Sequence, residues 1–497
     1  MSGWSLQRTG IQFRRWAVNT ALQIGGQATP LLAGAVAMPL IYTRLAPTDF
    51  GVFTLSLSVL GMFALLDLGL GRATVHFLAR AFAERDSAGA ASVVVHSASI
   101  LGGFGISIGA ISVAFVPVIA AHWTKSASIE QETVRQTLYI LVAALPFAGF
   151  TAVLRSILEA REKFPTISAI QVGFGTFTYI IPLALAFVTA DVRFIVAGAV
   201  AARIVACFAF ALAAVSAWGL PFRWRSVALK PHGEFRKFSL WLVVSNVVGA
   251  AVVYGDRAML MKLFPLAEIA FYNVPLEMLM RSMLIVNAAA TVIFPALSRS
   301  ADNKVLFERL YIAAMTLLAA LMGVALLALT LLVPAGLDAW LGHEFSTHST
   351  GVVRILICGL LFQGLISVVL LSLNARRVSR PIALVLILEA PVYFAAMYWS
   401  GLHLGLKGVA IVWSGRSMFE YVCYVAFQAS VGSRGAIRRQ NVGAALAASN
   451  VASLAIMAVS GRAALAIGVG LSCAVASVAW SLLQLRELPK TPAVAAG

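Results

Sequence analysis

Apolar runs long enough to cross a membrane, about 20 residues or more each, follow one another along almost the whole chain. They show no alternation with a period of two, which an outer-membrane barrel requires, so we predict helices. We expect an all-α polytopic membrane protein of about 14 transmembrane helices, or about 13 if the last two runs merge. The predicted spans are residues 19–42, 50–71, 93–120, 136–158, 168–189, 194–217, 238–262, 270–294, 305–334, 353–374, 381–400, 408–430, 442–461 and 463–485.

The composition excludes an ordinary soluble protein. Hydrophobic residues make up 60% of the chain and charged residues only 11%, which is roughly half the charged fraction of a typical soluble domain. The sequence holds no phosphate-binding G-x-x-x-x-G-K-[ST] motif. Its four cysteines are far apart and lack metal-ligand spacing. We therefore expect no cofactor, no bound metal and no enzymatic activity.

The net charge of +17 predicts the orientation of the chain in the membrane. Most Lys and Arg residues lie at the N-terminus and in the loops after even-numbered spans. Because basic loops remain on the cytoplasmic side, both termini are predicted to be cytoplasmic. The first apolar run is too long for a cleaved signal and is predicted to be an anchor. The basic loops face anionic lipids, and nucleic-acid binding is not expected.

The chain also contains an internal repeat, in which similar residues recur roughly 209–219 positions apart. The matched positions are Arg44 and Asp49 with Lys262 and Glu268, Arg80 with Arg299, Arg161 with Arg376, Pro182 with Pro391, and Arg203 with Arg416. The repeat predicts an N-terminal lobe at 1–237, a C-terminal lobe at 238–441, and two further helices with a cytoplasmic tail at 442–497. Each lobe has an even number of helices, so the lobes are related by a pseudo-two-fold axis along the membrane normal.

One long segment carries a resemblance to a known family. Residues 39–80 read PLIYTRLAPTDFGVFTLSLSVLGMFALLDLGLGRATVHFLAR. This segment resembles the opening of Wzx-type polysaccharide flippases, the polysaccharide transporter branch of the multidrug/oligosaccharidyl-lipid/polysaccharide exporter superfamily. The LEAREKFP loop and the adjacent Asp256 and Arg257 add to the match.

The resemblance implies a function, a fold and partners. The function is flipping of an undecaprenyl-diphosphate-linked oligosaccharide from the cytoplasmic to the periplasmic leaflet of the inner membrane by alternating access, for exopolysaccharide, capsule or O-antigen biosynthesis. The implied fold is two six-helix lobes around a central cavity, often cationic, lined largely by spans 1, 2, 7 and 8. The expected partners are the anionic lipid-linked oligosaccharide, membrane lipids, and a polysaccharide polymerase with its export machinery.

Ionisable residues inside the spans are the candidate site residues, because a charge at bilayer depth needs a partner or a function. Two pairs four residues apart can neutralise each other or bind substrate, namely Glu277 with Arg281 and Arg416 with Glu420. Arg203 has no acid within its own helix, so it must find a carboxylate, a water-filled cavity or an anionic substrate. Polar Gln27 and Asn246 are candidates for contacts with sugar hydroxyls, or for helix–helix hydrogen bonds.

A second group is expected at the ends of spans or in energy coupling. The gating or coupling candidates are Arg44, Asp67, Arg72, Asp256, Arg257 and Glu389. Asp256 and Arg257 are adjacent and are expected to point to different faces of their helix. Glu389, like Arg203, has no partner within its own helix, and it joins Glu277 and Glu420 as a candidate for proton coupling.

Three other functions remain possible from the sequence. A multidrug or cation antiporter of the same superfamily would typically have an acid-rich cavity. A lipid II flippase would carry an arginine cluster in its first helix, which this chain lacks. A membrane-embedded polysaccharide polymerase or ligase would need a sizeable periplasmic loop. The longest candidate loop, about 335–352, carries His343, Glu344 and His348, which we interpret as solvated loop residues rather than a metal site.

Overall fold

The computed structural model describes residues 29–63, 70–122, 128–219, 255–283, 303–376 and 380–431, with isolated positions between 286 and 300. Within these ranges the regular structure is helical, and no strand occurs. Seven of the described helices are long and apolar enough to cross a membrane. The chain is therefore a multi-pass membrane protein. It divides into two compact units, residues 1–273 and 274–497, which are described separately.

The first unit is a bundle of helices, several of which are joined by short turns. Its helices are α1 (Thr29–Tyr42), α2 (Pro47–Met62), α3 (Leu70–Ala83), α4 (Ser87–His122), α5 (Ser128–Val142), α6 (Leu145–Ala160), α7 (Phe164–Ala186), α8 (Val192–Ala217), α9 (255–263) and the first half of α10 (Leu266–Arg281). One part of the core joins α3, α4, α6 and α8 through buried Leu78, Ala90, Ile157 and Ala214. Apolar residues thus fill the interior of the unit, as in soluble bundles.

Two elements of the first unit differ from the predicted spans. The predicted span 136–158 is divided into α5 and α6 by a turn, and Pro146 occupies the first turn of α6. Proline lacks the N–H that would continue an α-helix from α5, but it is accepted at a helix start. Arg72 and Arg80, expected in a loop, lie within α3. A helix that carries charges on one side is not recognised by hydropathy, because its mean hydropathy is too low.

In the described part of the second unit, three long helices follow α10. They are α11 (Lys304–Leu341), α12 (His343–Ala375) and α13 (Arg380–Val431). The helical geometry of α13 breaks at Gly405, which has a φ of 63° that only glycine adopts readily. The break separates two arms that match the predicted spans 381–400 and 408–430.

The prediction of a loop at about 335–352 is wrong. Residues on both sides of Gly342 are helical, and this single glycine, with a φ of 89°, makes the turn between α11 and α12. His343, Glu344 and His348 are exposed on the first turns of α12. His343 Nδ1 lies 2.9 Å from Asp338 Oδ1. Among the described residues no group of histidine, cysteine and acidic side chains has the arrangement of a metal site.

Matched arginines of the repeat make similar contacts in the two units. Arg161, just after α6, places its Cζ 3.8 Å from the ring centroid of Phe82. Arg376, just after α12, places its Cζ 4.1 Å from the ring centroid of Phe307. Both are cation–π contacts at the end of a helix, and they favour the repeat. The predicted lobe boundary at 237 and the predicted segment 442–497 lie outside the described residues.

Candidate functional site

Helix α8 holds Arg203 on its buried side. The helix begins at Asp191, whose Oδ1 accepts a hydrogen bond of 2.9 Å from the backbone N–H of Arg193. The Arg193 guanidinium also hydrogen-bonds this carboxylate and holds the pKa of Asp191 below its ordinary value. An apolar stripe on α8 is exposed and suited to lipid, formed by Val205, Phe208, Leu212 and Val215. Arg203 lies on the opposite face with buried Ala199 and Phe210.

The guanidinium of Arg203 contacts the end of α2. Its Nη2 donates a hydrogen bond of 2.7 Å to the carbonyl oxygen of Leu60. Leu60 lies in the last turn of α2, where carbonyl groups lack partners within the helix and carry a partial negative charge. The rings of Phe63 and Phe174 lie 5.7 and 5.2 Å from its Cζ. Arg203 therefore caps α2 from a neighbouring helix and lies between two aromatic rings.

These contacts use only part of the hydrogen-bond donors that the guanidinium of Arg203 carries. A guanidinium carries five N–H donors, and the described structure assigns one hydrogen bond to them. Its Nε is buried without a partner among the described atoms. In the part of the chain that the structure describes, no carboxylate pairs with Arg203. The arrangement can bind an anion through charge-assisted hydrogen bonds, which remains a prediction.

In the second unit Arg416 bridges two carboxylates. Its Nε lies 2.9 Å from Glu389 Oε1, and its Nη2 lies 2.5 Å from Glu420 Oε1. The three side chains are 4 to 8% exposed. The predicted pairing of Arg416 with Glu420 is confirmed. Glu389, which has no partner within its own predicted span, finds Arg416 on the other arm of α13. We call Glu389, Arg416 and Glu420 the buried triad.

The prediction that Asp256 and Arg257 point to different faces is wrong. The Nη1 of Arg257 donates to both carboxylate oxygens of Asp256, at 2.7 and 2.6 Å, and both residues are buried. The pair lies in α9, where the long arginine side chain can fold back on its neighbour. Adjacent residues diverge on a helix at Cβ, but a long, flexible arginine side chain overcomes that divergence.

The remaining predicted residues are placed only in part. Arg44 lies exposed in the turn between α1 and α2, with its Cζ 4.4 Å from the ring centroid of Phe187. Glu277 and Arg281 are half-buried on α10, four residues apart, and their mutual pairing stays a prediction. Gln27, Asp67 and Asn246 lie outside the described residues, as does the side chain of Arg72.

A buried polar contact between α2 and α10 was not predicted from the sequence. The Nδ2 of Asn273 donates to the carbonyl oxygen of Thr54 at 2.8 Å and to the hydroxyl of Ser58 at 2.9 Å. All three residues are at most 2% exposed. A signal for this contact exists in the sequence, because Asn273 and Thr54 share the repeat offset of Glu268 and Asp49.

Comparisons with known proteins agree with these observations. A family model described as "Polysaccharide biosynthesis protein" matches residues 42–349. A putative O-antigen transporter from Shigella flexneri is 23% identical over 405 residues, which cover 81% of this chain and 95% of that protein.

Two solved structures show the fold. The lipid II flippase MurJ in an inward closed conformation has a TM-score of 0.69 at 14% identity, covering 95% of this chain and 99% of that one. An inward-facing multidrug resistance transporter of the MATE family has a TM-score of 0.68 at 15% identity, covering 85% and 98%. At these identities the similarity establishes the transporter fold alone. The family match, which spans more than half of the chain, shows that the chain belongs to the polysaccharide biosynthesis protein family.

Proposed function

We propose that this protein is a Wzx-type flippase that moves an undecaprenyl-diphosphate-linked oligosaccharide from the cytoplasmic to the periplasmic leaflet of the bacterial inner membrane by alternating access. The repeat unit then enters exopolysaccharide, capsule or O-antigen biosynthesis, next to a polymerase and export machinery. The O-antigen transporter relative supports the substrate class. The single structural observation that carries the proposal is the half-buried guanidinium of Arg203, whose described partners include no acid.

The chemistry of the cargo explains the need for this arginine. A diphosphate with several sugars cannot enter hydrocarbon without losing its hydration. A fixed guanidinium replaces that hydration with charge-assisted, often bidentate, hydrogen bonds. The phenyl rings at Arg203 restrict its position without neutralising it. The lipid tail can remain in the bilayer while the headgroup passes through the protein.

The two matched arginines take different roles in this proposal. Arg203 carries an uncompensated positive charge among the described residues, so it is assigned to the anionic headgroup. Arg416 faces two carboxylates and offers no net positive charge to an anion. We therefore assign the buried triad to coupling rather than to the cargo. The remaining cavity candidates are Arg281, Glu277, Asn246 and Gln27, and the gating candidates are Asp67, Arg72, Arg44, Asp256 and Arg257.

Replacement of Arg203 tests the proposal in a strain that lacks its own flippase. Arg203→Gln keeps a donor for the Leu60 carbonyl but removes the charge, whereas Arg203→Lys keeps the charge. We expect Arg203→Gln to abolish polysaccharide export and Arg203→Lys to retain part of it. Export is measured as surface polysaccharide, normalised to the amount of protein in the membrane.

A matched control separates the charge of Arg203 from arginine loss in general. Arg155 is an exposed arginine on α6 that pairs with Glu159 on the same helix, and Arg155→Ala should leave export unchanged. Full export by Arg203→Gln at a normal protein level would remove Arg203 from the proposed site. Equal failure of the Gln and Lys variants would contradict a role that depends on the positive charge of Arg203.

A further inference from the structure

The buried triad carries more negative than positive charge. Glu389 and Glu420 each bring a carboxyl group, and Arg416 brings one guanidinium. With both carboxyl groups ionised, the triad would hold a net charge of −1 inside membrane-spanning helices. Such a charge is costly in a medium that cannot solvate it. A positive charge or a proton must therefore accompany the ionised pair.

The geometry favours a proton over another protein group. The two carboxyl groups contact the same guanidinium, with Glu389 Oε1 2.9 Å from Arg416 Nε and Glu420 Oε1 2.5 Å from Arg416 Nη2. Glu389 is 6% exposed, and its Oε2 is buried without a hydrogen-bond partner among the described atoms. A proton on one carboxyl group would supply the missing donor between two acceptors. Two acids this close commonly share a single proton.

The surroundings of the triad supply no second cation in the part of the chain that the structure describes. Tyr393, Cys423 and Tyr424 are the other titratable groups that interact with the triad, and each is uncharged in its protonated form. The neighbouring helix α12 contributes Gln363, which donates to the hydroxyl of Ser417 beside Arg416 and is also uncharged. The excess negative charge is thus balanced by none of the described neighbours.

We propose that the buried triad is a proton-binding site, which holds one proton between Glu389 and Glu420 at neutral pH, with Arg416 as the fixed counter-charge. This site deepens the proposed function and rests on it only for its role in transport. A proton bound here makes the triad neutral. Release of the proton toward one side of the membrane makes the triad negative and so favours a conformation in which water or a cation reaches it.

The number of bound protons follows from charge balance and can be measured directly. Infrared spectroscopy of the purified full-length protein in sodium-free lipid vesicles detects the C=O stretch of a protonated carboxyl group. We expect one such group in the unaltered protein, none in Glu389→Gln or Glu420→Gln, and two in Arg416→Met. Glu344→Gln, at an exposed position of α12, should leave the band unchanged.

The outcomes separate the proton site from its rivals and from the flippase function. A band that is absent in the unaltered protein, or that survives both glutamine variants, would overturn the site. Loss of the band on addition of Na⁺ would also overturn it, because a metal cation would then be the occupant. If Arg416→Met does not fold, the two glutamine variants still decide. Because the band requires no transport, its presence without export would contradict the proposed function and leave the proton site standing.

Discussion

Asp191 has two roles at the start of α8, and they can be separated. Its carboxylate caps the helix and pairs with Arg193. Arg193 Nη1 in turn donates to Gln136 Oε1 on α5 at 2.6 Å. This cluster fixes the end of the helix that carries Arg203. The folded pKa of Asp191 is lowered, so its contribution to stability is present above the unfolded value, about 3.9, and is lost as the pH falls through the folded value.

Two substitutions at Asp191 test both roles. Asp191→Ala removes the cap and the ion pair and should cost about 1 kcal/mol from the cap, whereas Asp191→Asn keeps a capping oxygen and should cost less. Thermal unfolding in detergent at several pH values measures this order. The gap between Asp191→Asn and the unaltered protein should close at acidic pH. A gap that is equally large at low pH would contradict the ion-pair role.

At the scale of single residues, the sequence predicts contacts within one helix and misses contacts between helices. The Arg416–Glu420 pair follows from a spacing of four residues, which places two side chains on one face. The partner of Glu389 could not be predicted, because it lies beyond the break at Gly405 and only the fold brings the two arms together. Arg203 could be identified as a residue without a local acid, but its Leu60 carbonyl partner is backbone and carries no sequence signal.

At the scale of elements, α2 and α10 approach each other closely, and a glycine in the sequence explains the short distance. A Cβ on Gly51 would collide with the backbone carbonyl of Leu266, so only glycine permits this distance. Asn273 adds its hydrogen bonds to Thr54 and Ser58 further along the same pair of helices. The contact therefore holds α2 and α10 close together along the part that includes Gly51, Leu266 and Asn273.

A pair of glycine substitutions on α2 tests this contact. Gly51→Ala should force the helices apart and destabilise the protein by about 1–3 kcal/mol, the usual cost of overpacking. Gly61→Ala lies on the same helix, where a Cβ would meet nothing within 4 Å, and it should be neutral or slightly stabilising, since alanine favours helix. Thermal unfolding in detergent compares the two. Similar stability of both variants would show that α2 and α10 are not held at this distance.

Helix ends were the least predictable elements, for a physical reason. Hydropathy identifies the segment that fits the hydrocarbon core, about 30 Å thick, and not the turns that project beyond it. Helix α11 has 38 residues, which corresponds to about 57 Å at 1.5 Å per residue. Its polar end and the polar start of α12, with His343 and Glu344, therefore have the sequence pattern of a loop. Only the turn at Gly342 interrupts them.

At the scale of the whole molecule, the repeat places one arginine at matched positions and surrounds the two copies differently. Arg203 in the first unit contacts a carbonyl and two aromatic rings. Arg416 in the second contacts two carboxylates. A symmetric ancestor with an arginine at both positions would have two similar sites. The present sequence instead leaves Arg203 without a described acid and gives Arg416 two carboxylates, which suits an anionic cargo and a proton respectively.

This division predicts how transport responds to its two driving forces. Each negative charge that leaves an inside-negative membrane gains about 2.3 kcal/mol per 100 mV, or about fiftyfold in equilibrium. We expect purified protein in vesicles to move a lipid-linked diphosphate oligosaccharide faster when either a membrane potential or a pH difference is applied alone. Glu389→Gln should lose the response to pH and keep the response to potential, because it removes the proton and leaves Arg203 in place. Transport that ignores both gradients would rule out both forms of coupling, and a Glu389→Gln variant that still responds to pH would separate the triad from the transport cycle.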